Sequence, residues 1–173
     1  MAGSSLRAAR SERRGGLPNA LFVVAAAESP PAELRGVADV LMILFPWGSL
    51  LRGALALDRQ AAAGIAAPLR PGGRLSAFVS ITDRDAAAAG VPPLSDDDED
   101  GIARRWSAHG LDLVSFEPAS GEDVVATGSS WARRLRAAAD RPVADRAVWR
   151  LELIAREAGP PLTAQRSPAI VAT

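Results

Sequence analysis

The chain has 173 residues, 48% apolar and 23% charged with no net charge, which suits one soluble globular domain large enough for a real core. It contains no cysteine, which excludes disulfides and thiolate metal sites and fits a cytoplasmic protein. No apolar run approaches the ~20 residues of a membrane span, and the start "MAGSSLRAARSERRGGLP" lacks the apolar stretch of a signal peptide.

Residues 1–18 read as a basic arm. All 20 basic residues of the chain are arginine, and Arg7, Arg10, Arg13 and Arg14 fall here against a single acid, Glu12. "NALFVVAAAE" (19–28) reads as a buried strand ending at Glu28, and "SPPAELRGVA" as a short helix. "DVLMILF" follows as a strand whose unbroken apolar run, Leu41 to Phe45, predicts burial on both faces. Pro46 ends it and Gly48 permits a tight turn. Ser49 is placed to cap a helix reaching about Ala67, with Leu50, Ala54, Leu57 and Ala61 at helical spacing. Trp47 therefore sits on a strand-to-helix turn, at the kind of strand end where open α/β sheets place ligands.

"PLRPGG" predicts a turn and "RLSAFVSI" (74–81) a third strand. "LSDDDEDGIARRWSAHG" predicts a helix capped by Ser95, its acids favoured in the first turn by the helix dipole. "LDLVSFEP" (111–118) is a fourth strand, "ASGEDVVATGSS" a linker, and "WARRLRAAAD" a short helix. The last strand is "RAVWRLELIA", where Trp149, Leu151 and Leu153 alternate with Arg150 and Glu152 to give one apolar and one polar face. The tail from about residue 158 has a disordered composition, which leaves 19–157 as the folded domain. Strands alternating with helices predict a mostly parallel sheet.

Little here suggests acid–base or metal chemistry. His109 is the only histidine and precedes a glycine, as helix-terminal residues do, so it founds no metal site. "GSS" at 128–130 lacks the nucleophile elbow of hydrolases. Trp106 reads as a half-buried packing residue and Trp149 as core. Trp131 follows a Gly-Ser-Ser turn and leads into Arg133, Arg134 and Arg136; an aromatic beside several arginines can hold an unstacked base while gripping its backbone. Trp131 taken alone favours a core role, and Trp47, a second turn-borne indole, brings the two readings level.

The segments "NALFVVAAAESPPAEL", "FPWGSLLRG" and "ATGSSWARRLR" resemble, in order, the aminoglycoside-resistance 16S rRNA (adenine(1408)-N1)-methyltransferases of the kanamycin–apramycin type. The resemblance runs from about Pro18 to Ile154. It implies a class I S-adenosylmethionine-dependent methyltransferase fold of the Rossmann-like α/β type, and 16S rRNA within the 30S subunit as the partner of a monomeric enzyme. It further implies that a flipped adenine is held between Trp47 and Trp131, with Ser129 near the base. Glu28 is implied to lie near the cofactor's adenosine, with Ala27, Phe45 and Pro46 completing the cofactor positions. Arg7, Arg10, Arg13, Arg14, Arg133, Arg134 and Arg141 fall where relatives grip RNA.

Class I enzymes open with a strand, a glycine-rich cofactor loop and a second strand ending in an acid, and neither unit is visible here. The expected fold is thus N-terminally truncated, with about five strands remaining and "LFVVAAAE" left unpaired or paired abnormally. The expectation for the chain alone is inactivity, with a non-catalytic RNA-binding remnant as the alternative.

Overall fold

The computed structural model describes residues 12–81, 83–129 and 147–157. Their sheet has four strands, β1 (Ala38–Leu44), β2 (Leu69–Ser80), β3 (Leu111–Pro118) and β4 (Val148–Ala155), in the order β1-β2-β4-β3. β1 and β2 are parallel, whereas β4 runs antiparallel to both its neighbours. The sheet is mixed rather than mostly parallel, because the chain leaves β3 and enters β4 at the same edge instead of crossing over.

Among the described residues five α-helices accompany the sheet: α1 (Ser49–Ala54), α2 (Arg59–Ala66), α3 (Asp83–Ala89), α4 (Glu99–Ser107) and α5 (Gly121–Ala126). The single helix expected over 49–67 is two. Ala56 takes a left-handed backbone (φ 51), and the Asp58 carboxylate accepts from the amides of Gln60 and Ala61 at 3.0 Å, starting α2 afresh. Gly53 lets the two helices pack closely, for a methyl there would lie 2.8 Å from the Ala61 Cβ. Gly48, not Ser49, occupies the cap position of α1, and no side chain caps it.

Four further elements differ from expectation. Residues 19–28 form no strand, since β-structure needs a hydrogen-bonded neighbour and the described residues offer them none; Leu21 and Val24 stand 81% and 104% exposed. "SPPAELRGVA" keeps only a 3-10 turn, Ala32–Leu34, ended by the extended backbone of Arg35 and the positive φ of Gly36. "PLRPGG" lies within β2 as a bulge: Ala38 pairs with Leu69 and Val40 already with Arg74. "ASGEDVVATGSS" holds α5, whose capping box joins Ser120 and Asp123. The segment "WARRLRAAAD" and the tail from 158 lie outside the described residues.

The core lies on one face of the sheet. Leu75, Ala77, Val79, Trp149, Leu151 and Leu153 are buried there beneath residues of α1, α2 and α4. The alternation in β4 holds as expected, with Trp149 stacked on Phe116 at 4.5 Å. Trp106 is wholly buried rather than half-buried, and its Nε1 donates to the Ala54 carbonyl oxygen at 3.2 Å, pinning α4 to α1. His109 ends that helix region, its amide donating to the Trp106 carbonyl and its ring meeting the Trp106 indole edge-on. β1 departs from expectation: Ile43 is buried, but Val40 and Met42 on the other face are 57% and 51% exposed.

Gly64 seats the turn that carries Glu28. A methyl at Gly64 would lie 1.8 Å from the Ala27 carbonyl oxygen and 3.1 Å from Pro30 Cδ. Gly64→Ala should gain about 1 kcal/mol of helix propensity but lose more, because overpacking costs about 1–3 kcal/mol and the overlap here is with backbone. The expected result is a lower urea midpoint and faster proteolysis between residues 19 and 30. An unchanged midpoint with unchanged cleavage would mean that this turn does not rest on α2.

Candidate RNA-facing edge

β3 runs in the same direction as β1 and β2, because β2 and β3 are both antiparallel to β4. The carboxyl ends of three strands therefore meet the amino end of β4 on one edge, as the pairs Leu44–Phe78, Ser80–Val148 and Pro118–Trp149 require. This edge gathers the segments leaving β1, β2 and β3, and the chain returns to it at Ala147.

Trp47 stands on the corner between β1 and α1. The Phe45 amide donates to the Phe78 carbonyl oxygen at 2.8 Å, holding it to β2, and its ring lies 6.4 Å from that of Phe78. Phe45 itself is left-handed (φ 50), Gly48 also has a positive φ (61), and Pro46, between Phe45 and Trp47, is buried. A left-handed residue other than glycine costs about 1–3 kcal/mol and persists where the surroundings over-determine it. The outcome is an indole 81% exposed beside a buried proline. An indole lying as a lid on the core would be covered, so the lid reading does not fit Trp47.

Ser129 reaches the same edge through α5. The Ser120 amide and hydroxyl donate to the Asp123 carboxylate at 2.9 and 2.7 Å, and the Asp123 amide returns a bond to the hydroxyl at 3.1 Å. These bonds, with Arg150 alongside, hold the Asp123 carboxyl below its ordinary range. Arg150 clamps α5 to the sheet by pairing with Asp123 at 3.2 Å and with Glu117, and the Glu117 bond raises its own pKa. Thr127 then donates to the Val124 carbonyl at 2.7 Å, Gly128 turns left-handed, and the half-buried Ser129 donates its amide to the Thr127 hydroxyl at 3.3 Å. The Arg150 clamp was not anticipated, since only strand register brings Glu117 opposite Arg150; the Ser120–Asp123 spacing of a capping box was a visible signal for α5.

The other candidates divide. Arg13 and Arg14 are exposed on a 3-10 turn, Glu12–Arg14. Arg7, Arg10, Trp131, Arg133, Arg134 and Arg141 lie outside the described residues. Ala27 and Glu28 are half-buried in a turn closed by the Ser29 amide on the Ala26 carbonyl, against the last turn of α2. That turn leads to the amino end of β2, whereas Phe45 and Pro46 stand at the carboxyl end of β1. Two of the four cofactor candidates thus sit beside α2 and two at the end of β1. Their donor set is thin as well: the Phe45 amide is engaged and Pro46 has none. Among the described residues no cluster of three potential metal ligands occurs, and no helix is long and apolar enough to cross a membrane.

Residues 1–147 match the family model NpmA, described as 16S rRNA (adenine(1408)-N(1))-methyltransferase. A protein of that name from Streptoalloteichus hindustanus is 37% identical over 144 residues, and an rRNA methyltransferase from Saccharopolyspora hirsuta is 36% identical over 141. These alignments cover 79% and 78% of this chain, and 65% and 88% of the relatives, so the chain spans just under two thirds of the Streptoalloteichus protein. Among solved structures, a mutant of the Catenulisporales acidiphilia 16S rRNA (adenine(1408)-N(1))-methyltransferase with cosubstrate SAM superposes with TM-score 0.76 at 30% identity, covering 94% of this chain and 73% of that one. The 16S rRNA methyltransferase KamB superposes at 0.71 and 30% identity, covering 90% of this chain and 72% of that one. Fold and sequence agree: the chain has a class I methyltransferase sheet and belongs to the NpmA family of 16S rRNA (adenine(1408)-N(1))-methyltransferases.

Proposed function

We propose that this chain is the base-holding and RNA-docking part of an S-adenosylmethionine-dependent enzyme that methylates N1 of a flipped adenine in the decoding site of 16S rRNA. Its action would be on the 30S subunit in the cytoplasm, as a monomer, with aminoglycoside resistance as the result. The observation that supports this most is Trp47, an exposed indole at the carboxyl edge of the sheet in a chain of this family.

In this reading Trp47 and Trp131 take the two faces of the adenine, and Ser129 lies beside it. Arg7, Arg10, Arg13, Arg14, Arg133, Arg134 and Arg141 contact phosphates, to which guanidinium groups bind bidentately. Adenine N1 carries a free lone pair, so no protein base has to deprotonate it, in keeping with a site whose residues position rather than exchange protons. S-adenosylmethionine, when bound, supplies the methyl group on its sulfonium. Glu28 offers a carboxylate for its nucleoside end from the turn seated on α2, whereas Phe45 and Pro46 stand at the carboxyl end of β1. These 173 residues alone are accordingly proposed not to bind it.

Two measurements test this. A chimera in which this chain replaces the matched part of the Streptoalloteichus hindustanus relative should methylate 30S subunits, read by primer extension. The 173-residue chain alone should give no saturable heat with S-adenosylmethionine. A micromolar isotherm, about −8 kcal/mol, would show that its own residues suffice. A chimera that binds 30S subunits without methylating them would instead favour the non-catalytic RNA-binding reading.

A further inference from the structure

The helix that leads to Ser129 has little of its own to hold it. α5 has six residues, short of the ~12–15 at which an isolated helix becomes even marginally stable. It buries one side chain, Val124, while Val125 beside it is 44% exposed. Its direction is set by charge instead. The Asp123 carboxylate divides its oxygens: Oδ2 accepts from the Ser120 amide and hydroxyl and starts the helix, and Oδ1 accepts from Arg150 at 3.2 Å. The other arm of the guanidinium is held by Glu117, directly opposite Arg150 in the β3–β4 register. Two strands and a helix thus meet at one planar group, whose fork a lysine does not reproduce.

As a source of stability this arrangement is poor. The Arg150 Nε is buried with no acceptor among the described residues, and an unmatched buried donor is destabilising. The Arg150, Glu117 and Asp123 side chains are 31%, 49% and 34% exposed, so solvent weakens both pairs. What the arginine does supply is geometry. One residue beyond Asp123, the Val124 carbonyl accepts from the Thr127 hydroxyl, which in turn accepts from the Ser129 amide. We propose that Arg150 is a positioning residue for the methyl transfer: it fixes α5 against β3 and β4 and thereby sets the place of Ser129. This rests on the proposed function, in which Ser129 lies beside the adenine. Replacing such an ion pair by an apolar side chain is often neutral for folding, whereas a misplacement of about 1 Å at a reacting centre can cost about a hundredfold in rate.

The test uses the chimera with the Streptoalloteichus hindustanus relative. Arg150→Met keeps an apolar stem to pack on the strand and removes the fork. Its single-turnover methylation rate at saturating 30S subunits should fall about tenfold or more. Its affinity for the subunit should stay within about twofold, and its urea midpoint should not move. Arg150→Lys should recover part of the rate, since it keeps the charge but engages one carboxylate at a time. Arg156→Met removes an equal charge from the Arg156–Asp112 pair at the opposite end of the sheet and should change neither rate nor affinity. In a Ser129→Ala background, Arg150→Met should cause no further loss, because groups that act as one unit are not additive. A normal rate for Arg150→Met, or an undiminished further loss in the Ser129→Ala background, overturns the proposal. A lower urea midpoint with an unchanged rate per folded molecule also overturns it, leaving Arg150 a purely structural role. A wild-type chimera that binds 30S subunits without methylating them overturns the enzymatic reading and the role of Arg150 within it. That result is distinct from an active chimera indifferent to Arg150, which sinks the positioning role alone.

Discussion

Trp47→Ala in the chimera with the Streptoalloteichus relative should remove most rRNA methylation while leaving stability almost untouched. The indole is 81% exposed, and surface substitutions away from special features usually stay within about 0.5 kcal/mol. Stacking of a base on an aromatic ring is worth about 1–3 kcal/mol, and every 1.36 kcal/mol is about tenfold in rate. Loss of the geometry that presents N1 adds to this, so the deficit should exceed stacking alone. Trp131→Ala should behave alike if the two rings share one base. Primer extension across the decoding site measures the outcome, with a urea melt of each variant beside it. Normal methylation by both folded variants would remove the base sandwich from consideration.

Trp106→Ala should do the opposite, unfolding the chain whatever its activity. Trp106 is wholly buried and its Nε1 donates to the Ala54 carbonyl oxygen. Truncating a buried tryptophan costs about 3–5 kcal/mol, and stranding the carbonyl it served adds about 1–3 kcal/mol. Against a typical stability of about 5–15 kcal/mol, that is enough to populate the unfolded state. Trp106→Phe keeps most of the volume and loses only the hydrogen bond, so its urea midpoint should fall between wild type and alanine. Equal loss in both variants would show that the bond, not the packing, joins α4 to α1.

What could be read from the sequence follows from which forces are local. The strand at 111–118 and the alternation of Trp149, Leu151 and Leu153 were legible because period-two patterning is carried by consecutive residues. The Ser95 cap of the acidic turn was legible for the same reason. The break between α1 and α2 was not, because alanine at a left-handed φ leaves no mark in composition, and Asp58 reads equally as a surface acid. The strand expected at 19–28 failed because a strand is a property of a pair. For the site, Pro46 and Gly48 announced the turn bearing Trp47, yet the exposure of its indole depended on the Phe45 backbone. The Arg150–Glu117–Asp123 clamp needed the β3–β4 register, which no single-strand pattern encodes.

The return of the chain from β3 to β4 at one edge has an evolutionary consequence. Ala119 and Val148 are tied by a direct backbone bond of 2.7 Å, so whatever lies between them hangs from two fixed posts. That bond sets the pairing of β3 with β4 whatever the number of residues between the two posts. A crossover connection would not allow this, since its length is dictated by the width of the sheet it must span. The number of residues between the posts can therefore change in evolution while the β3–β4 register is kept.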